Sequence, residues 1–284
     1  MILLEDVKMI KNEIKTLLML TRKNFILYIK KGPVLIFGLL FPFFMLISWI
    51  LGRDISLDQI FVGLVSMTSF FTATAISPVI LPIETREKSL ERLLAAPVSL
   101  IEILLGIVLA STLYSFLITT IITLIFVFAY PTLIISSIAG LTLFFGLFLM
   151  SILGSLIGLV ISAKPTDQTS DIMVLVNLVK FPLLFLGGVF IPLKDLSSYG
   201  SILNLISPLT YLTELLRGLV NENSIISPGL NILILCCWII LLCLLNYIIH
   251  KKTMSMRFSE AAGRKKIMKK NVKKNDLGKN LGKE

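Results

Sequence analysis

The sequence predicts an all-α integral membrane protein with six transmembrane helices, an N-terminal amphipathic interface helix, a short charged helix between two spans and short re-entrant outer helices. Three observations lead there. Of 284 residues, 56% are hydrophobic and only 15% charged, with a mean hydropathy of +0.92, which no soluble domain approaches. The apolar residues fall into runs of about 20 or more, the length a helix needs to cross ~30 Å of hydrocarbon. Lysines and arginines collect on one side of those runs.

Residues 1–32 lack the short apolar core and small-residue cleavage site of a signal peptide. Val7, Ile10, Ile14, Leu17, Leu18, Phe25 and Ile29 recur at helical spacing, with Lys8, Lys11, Lys15, Arg22 and Lys23 alongside. This is an amphipathic helix, able to lie on a lipid leaflet or to receive a cytosolic partner. The spans follow in 33–249: Pro33 to Gly52, Ile60 to Ile83, Ile101 to Phe128, Leu133 to Ile161, Ile172 to Pro192 and Leu230 to Ile249. The third and fourth exceed a bilayer core and are expected to tilt or project.

Counting Lys and Arg orients the spans. Segments 1–32, 84–100, 162–171 and 250–284 hold 23 of them, and the alternate segments 53–59, 129–132 and 193–229 hold three. Both termini are therefore expected in the cytoplasm. The formal charge of +10 resides almost wholly in 250–284, with 12 basic and 3 acidic residues. That tail is expected to be disordered and to contact membrane lipids, and nucleic acid is not expected as a partner. Cys236, Cys237 and Cys243 share the last apolar run and read as small apolar fillers, and His250 stands without the cluster a metal site needs.

Between the second and third spans, Glu84 to Ser99 form a charged island. Leu90, Leu93, Leu94 and Val98 share one helical face. Glu84 with Lys88, and Lys88 with Glu91, have the spacing of intrahelical ion pairs. Pro97 disfavours helical geometry at Ala96 and stops the rod. An apolar stripe on so short a helix calls for a partner, and the three acids add nothing to topology, so a docking element is preferred over a solvated loop.

The island ends Leu93-Leu94-Ala95-Ala96-Pro97-Val98-Ser99, which resembles the element after the second span of ABC-2 type exporter permeases. Gly187-Gly188-Val189-Phe190-Ile191-Pro192, then Ser207-Pro208-Leu209-Thr210-Tyr211 with Glu214 and Arg217, are also similar to that family. The resemblance covers about residues 10 to 250. The chain departs from the pattern at Ser207, where Asn is common, and at Leu196-Ser197-Ser198-Tyr199, where a Leu-Pro-aromatic run is common.

The resemblance implies a permease that is not itself an enzyme and binds no cofactor. Cytosolic ABC ATPase subunits would hold ATP and Mg, and a second permease, the same or different, would complete a dimer in the plasma membrane. The sequence agrees to this extent: a phosphate loop needs G-x-x-x-x-G-K-[ST], and the nearest candidate, Gly278 to Lys283, is misspaced and followed by Glu284. The island would be the cytosolic coupling helix, with Glu84, Arg86, Glu87, Leu90, Glu91, Arg92, Leu94 and Pro97 meeting the ATPase. Gly188, Pro192, Pro208, Tyr211, Glu214 and Arg217 would form an outer gate. Glu214 and Arg217 are then a buried or interfacial ion pair, against the alternative of an exposed one. The implied activity is efflux of a drug-like or lipid-like amphiphile, with polysaccharide or ion efflux as the alternative.

Two features stand apart from the motifs. Lys180 is an ionisable residue deep in the fifth span, with Asn177 on its face. It is a pathway candidate for an anionic head group, unless it snorkels or pairs with a carbonyl. Gly154, Gly158 and Ser162 lie four residues apart in the fourth span and suit close helix packing, within one permease or between two. An integral lipid-modifying enzyme would need a cluster of acids, His or metal ligands, and a secondary transporter would need coupling carboxylates or broken helices at midplane. The sequence supplies neither pattern.

Overall fold

A computed structural model describes residues 2–28, 36–96, 98–130, 137–220 and 224–281. The described residues are helical throughout, apart from connecting turns, as an all-α membrane protein requires. In chain order they form α1 (Ile2–Tyr28), a π-helical turn (Ile36–Leu40) running into α2 (Phe41–Ile50), α3 (Leu57–Arg86), α4 (Ser89–Ala95), α5 (Leu100–Ala129) and α6 (Ser137–Ile161). There follow α7 (Thr169–Phe185), a 3-10 turn (Leu193–Asp195), α8 (Ser198–Asn204), α9 (Pro208–Leu219) and α10 (Pro228–Leu281).

Among the described residues, four helices are long and apolar enough to cross a bilayer: α3, α5, residues 139–161 of α6 and residues 228–254 of α10. Six such spans are expected from sequence. The first expected span appears as Ile36–Ile50, its beginning lying outside the described residues. The fifth is α7, 17 residues long or ~25 Å, because the chain turns where Gly188 takes φ +66°, a conformation that suits glycine.

Helix α3 is the axis of the molecule. Every residue from Phe61 to Glu84 is buried, and α2, α5, α6, α7 and α9 all pack on it. A helix buried on all sides need not be apolar on all sides if its hydroxyls find partners. Thr72 Oγ1 lies 2.9 Å from Ser115 Oγ of α5, Ser115 donates to the Ser69 carbonyl at 3.0 Å, and Ser151 of α6 donates to Ser115 at 3.1 Å. Ser111 adds a bond to the Ala73 carbonyl at 2.8 Å. Such interhelical bonds contribute about 0.6 kcal/mol each in membranes, so this seam fixes register more than it adds stability.

Glycine sets how closely α6 approaches. A Cβ at Gly154 would stand 2.5 Å from Ala73 Cβ, and one at Gly158 would stand 2.3 Å from Ser77 Oγ and 2.9 Å from Pro78 Cδ. The small-residue stripe is therefore consumed in packing α6 on α3 inside one chain. Helix α10 lies outside α6 and is tied to it by Asn246, which donates to the Leu156 carbonyl at 3.1 Å, and by His250 Nε2, 3.0 Å from the Leu159 carbonyl. Its other flank, with Leu233, Ile240, Leu244 and Ile248, is exposed and suits lipid. Cys236, Cys237 and Cys243 are free thiols on this helix.

Helix α10 continues without a break to Leu281. Between His250 and Leu281 there is no proline, and Lys is the commonest residue, with Arg and Met beside it, residues that favour helix.

Candidate functional site

The corner between α3 and α5 carries the predicted docking residues. Glu87 follows the last turn of α3, Lys88 takes φ 58° and redirects the chain, and α4 then runs for seven residues. The left-handed step is the physical reason one expectation fails. Glu84 and Arg86 end α3 rather than share a helix with Leu90, so no continuous rod forms and Glu84 does not pair with Lys88.

Glu84 points inward instead. It is buried, and its Oε1 accepts from Lys23 Nζ of α1 at 2.6 Å, while Ser89 Oγ donates to Oε2. Lys23 lies 61 positions away in sequence, so no local pattern reveals the pair. Ser89 went unnoticed for a related reason, since its role depends on the chain reversing at Lys88. Helix α1 reaches this corner by packing along α5, where a Cβ at Gly106 would meet Leu20 Cβ at 2.8 Å. Leu20, Asn24, Glu84, Leu93 and Ile103 line a small crevice between α1, α3, α4 and α5.

The apolar stripe faces the protein. Leu90 is 1% exposed, and Leu93, Leu94 and Val98 are half-buried against the core. Arg86, Glu87, Lys88 and Arg92 are exposed, and Glu91 is half-buried. Pro97 lies outside the described residues. Helix α5 begins with a capping box in which Ser99 receives the Glu102 amide and Glu102 receives the Ser99 amide at 2.7 Å. The corner thus offers charged side chains on a base whose leucines are already committed.

The second group of predicted residues does assemble. Pro208 opens α9 at the first helical position, where its missing N–H costs nothing. Glu214 and Arg217 are each 1% exposed and pair at 3.3 Å, which settles the choice between buried and exposed. Glu214 Oε2 also accepts the Ile225 amide at 3.0 Å, and Arg217 Nη2 donates to the Gly188 carbonyl. Tyr211 donates to the Leu205 carbonyl at 2.9 Å, and Pro192 is buried nearby in sequence to the 3-10 turn.

A ladder joins α9 to the end of α7. Ser207 donates to the Leu183 carbonyl at 2.8 Å, Thr210 to Leu186 at 3.1 Å and Thr213 to Gly187 at 2.7 Å, with Arg217 on Gly188 completing it. The last carbonyls of a helix lack intrahelical donors, and here one face of another helix supplies them. Thr213 escaped the sequence reading, although positions 207, 210, 213 and 217 form a polar stripe at helical spacing.

Lys180 sits apart from both groups. It is buried, with Nζ 4.5 Å from the centre of the Phe71 ring. Phe71 stacks on Phe41 at 5.1 Å, and Phe181 lies 5.5 Å from Phe41 and 6.2 Å from Phe71. Asn177 is half-buried one turn away.

Comparison with known proteins gives one positive result. A family model described as ABC-2 type transporter matches residues 15–220, which contain the corner, the ladder and Lys180. No curated protein matches the chain.

Proposed function

The chain belongs to the ABC-2 type transporter family, and on that premise we propose that it is the permease subunit of an ATP-driven exporter for a drug-like or lipid-like amphiphile. Separate ATPase subunits bind ATP with Mg and dock on the α3–α4 corner. Two permeases form the membrane unit, in the plasma membrane with both termini in the cytoplasm. The bias of 23 basic residues against three supports that orientation.

One observation carries the docking reading. Arg86 at the end of α3, Glu87 and Lys88 in the turn, and Arg92 on the seven-residue α4 are all exposed, while the leucines of α4 and the neighbouring Glu84 are held in the protein. Exposed charges of both signs give register and selectivity to an encounter, and a base fixed by Leu90 and Glu84 passes force on rather than yielding. Helix α3 receives that force. It runs for 30 residues, ~45 Å, and packs on both α7 and α9, so closure of the ATPases tilts one buried rod that touches the far gate. Pro78 and Pro82 lie near its driven end and remove two helical donors there, which lets the rod bend under load.

Charge reversal tests this directly. Glu87→Lys combined with Arg92→Glu is expected to reduce ATPase co-purification and substrate-stimulated ATP hydrolysis by tenfold or more, ~1.4 kcal/mol, with unchanged yield of folded permease. Recruitment and stimulation equal to wild type in the double variant overturn the docking assignment.

A further inference from the structure

Lys180 joins two observations that the docking reading leaves unused. Its side chain does not reach water: it is only 2% exposed, and Asp171 at the inner edge is nine residues, or ~13 Å along the helix axis, away. It makes no ion pair among the described residues, and its ammonium rests on the Phe71 ring. A ring face attracts a cation, yet it replaces little of the hydration an ammonium loses in a low-dielectric interior. A buried cation in that position gains most from an anion.

The surroundings define the rest of such a ligand. Phe41, Phe71 and Phe181 come from α2, α3 and α7 and form an aromatic floor beside the ammonium. The π-helical turn Ile36–Leu40 leads directly into Phe41, and such irregular turns are frequent at functional sites. Phe41, Asn177 and Phe181 are half-buried and Lys180 is buried, so a ligand would approach along the seam where the Phe41 and Phe181 rings meet. The flank of α7 beyond that seam, with Val174 and Leu178, is exposed and apolar.

We infer that Lys180, backed by the Phe41–Phe71–Phe181 floor and flanked by Asn177, is a binding site for an amphiphile carrying one acidic head group on an apolar body. The acidic group neutralises the ammonium, Asn177 donates a hydrogen bond to it, and the apolar body lies on the rings. This rests on the permease reading and narrows its substrate class: neutral and cationic amphiphiles leave the buried charge uncompensated and bind weakly.

The test uses the full chain in phosphatidylcholine vesicles with cis-parinaric acid and its methyl ester as probes, read by energy transfer from the protein's tryptophans. Wild type is expected to bind the acid at least about tenfold more tightly than Lys180→Met does, the range for deleting a charged hydrogen-bond partner. Lys180→Arg keeps the preference, and the ester binds wild type and Lys180→Met alike. Equal binding of the acid by wild type and Lys180→Met overturns the site. So does equal binding of acid and ester by wild type, which decides the matter even if Lys180→Met fails to reconstitute. Phosphatidylglycerol added to the vesicles distinguishes the sources of the anion: displacement of the acid supports a site for a bilayer head group, and undiminished binding supports one for a free amphiphile. Because the vesicles hold no ATPase, the two tests are independent: absence of acid preference here, with the charge-reversal test upheld, rejects only this site, and the converse rejects only the docking reading.

Discussion

Glu84 looks like a surface acid in sequence, in a run of charges that ends a span, and it becomes a buried acceptor shared by Lys23 and Ser89. Removing one partner of such a pair strands the other in the interior. Lys23 is about one-third exposed, which softens the penalty, so Lys23→Met is expected to destabilise the protein by about 2 kcal/mol. Thermal unfolding in detergent measures this, and Lys23→Met on a Glu84→Gln background should cost much less. Additive losses in that cycle would show that the two residues do not interact. The partner of Glu84 was illegible because Lys88, an ordinary residue at a left-handed φ of 58°, breaks the expected i, i+4 pairing, and nothing in the residue itself announces that. Glu214 and Arg217 were legible as a pair because both stand on one helix three residues apart.

At the scale of elements, α7 and α9 are joined by side chains on the second helix and carbonyls on the first. Each neutral rung is expected to contribute about 0.6 kcal/mol, as other interhelical bonds in membranes do, and the ion-paired Arg217 more; stranding a buried partner costs further. Thr213→Val keeps the shape and removes one donor, and it should lower stability by about 1–2 kcal/mol. Arg217→Met leaves Glu214 without its buried cation, and should cost about 3–5 kcal/mol. Denaturant or thermal unfolding ranks the two variants. A larger loss for Thr213→Val than for Arg217→Met contradicts the ladder as drawn. The length of the apolar runs made the long helices α3, α5 and α6 readable, and the Pro97 and Gly187-Gly188 motifs marked two of the breaks. It gave no warning that α7 would be short or that α10 would continue past Met254, because helix length there depends on backbone turns and on helix-favouring polar residues rather than on hydrophobicity.

Across the whole molecule, one buried helix organises everything else. The hydroxyls of Thr72, Ser115 and Ser151 meet at its side, and glycines 154 and 158 let α6 close on it. Hydropathy identified α3 as a span, but a span beside lipid and a span surrounded by protein have similar composition, so its central place was not legible. Sidedness is the prediction that belongs at this scale. In a background lacking Cys236, Cys237 and Cys243, Lys88→Cys should resist a membrane-impermeant maleimide in intact cells and react after permeabilisation. Tyr199→Cys, at an 84% exposed position, should react in intact cells. The reverse pattern would invert the topology.

The Lys23–Glu84 contact also bears on how such a protein can be rebuilt. On the docking proposal, a segment exchanged between related ABC-2 transporters to change which ATPase they accept has natural boundaries at Arg86 and Ser99 provided Ser89 is kept, because Glu84 is bonded both to Lys23 of α1 and to Ser89. A graft that carries Glu84 across without its lysine separates two halves of one joint. The smallest transferable docking unit is therefore discontinuous in sequence if it extends even two residues further back.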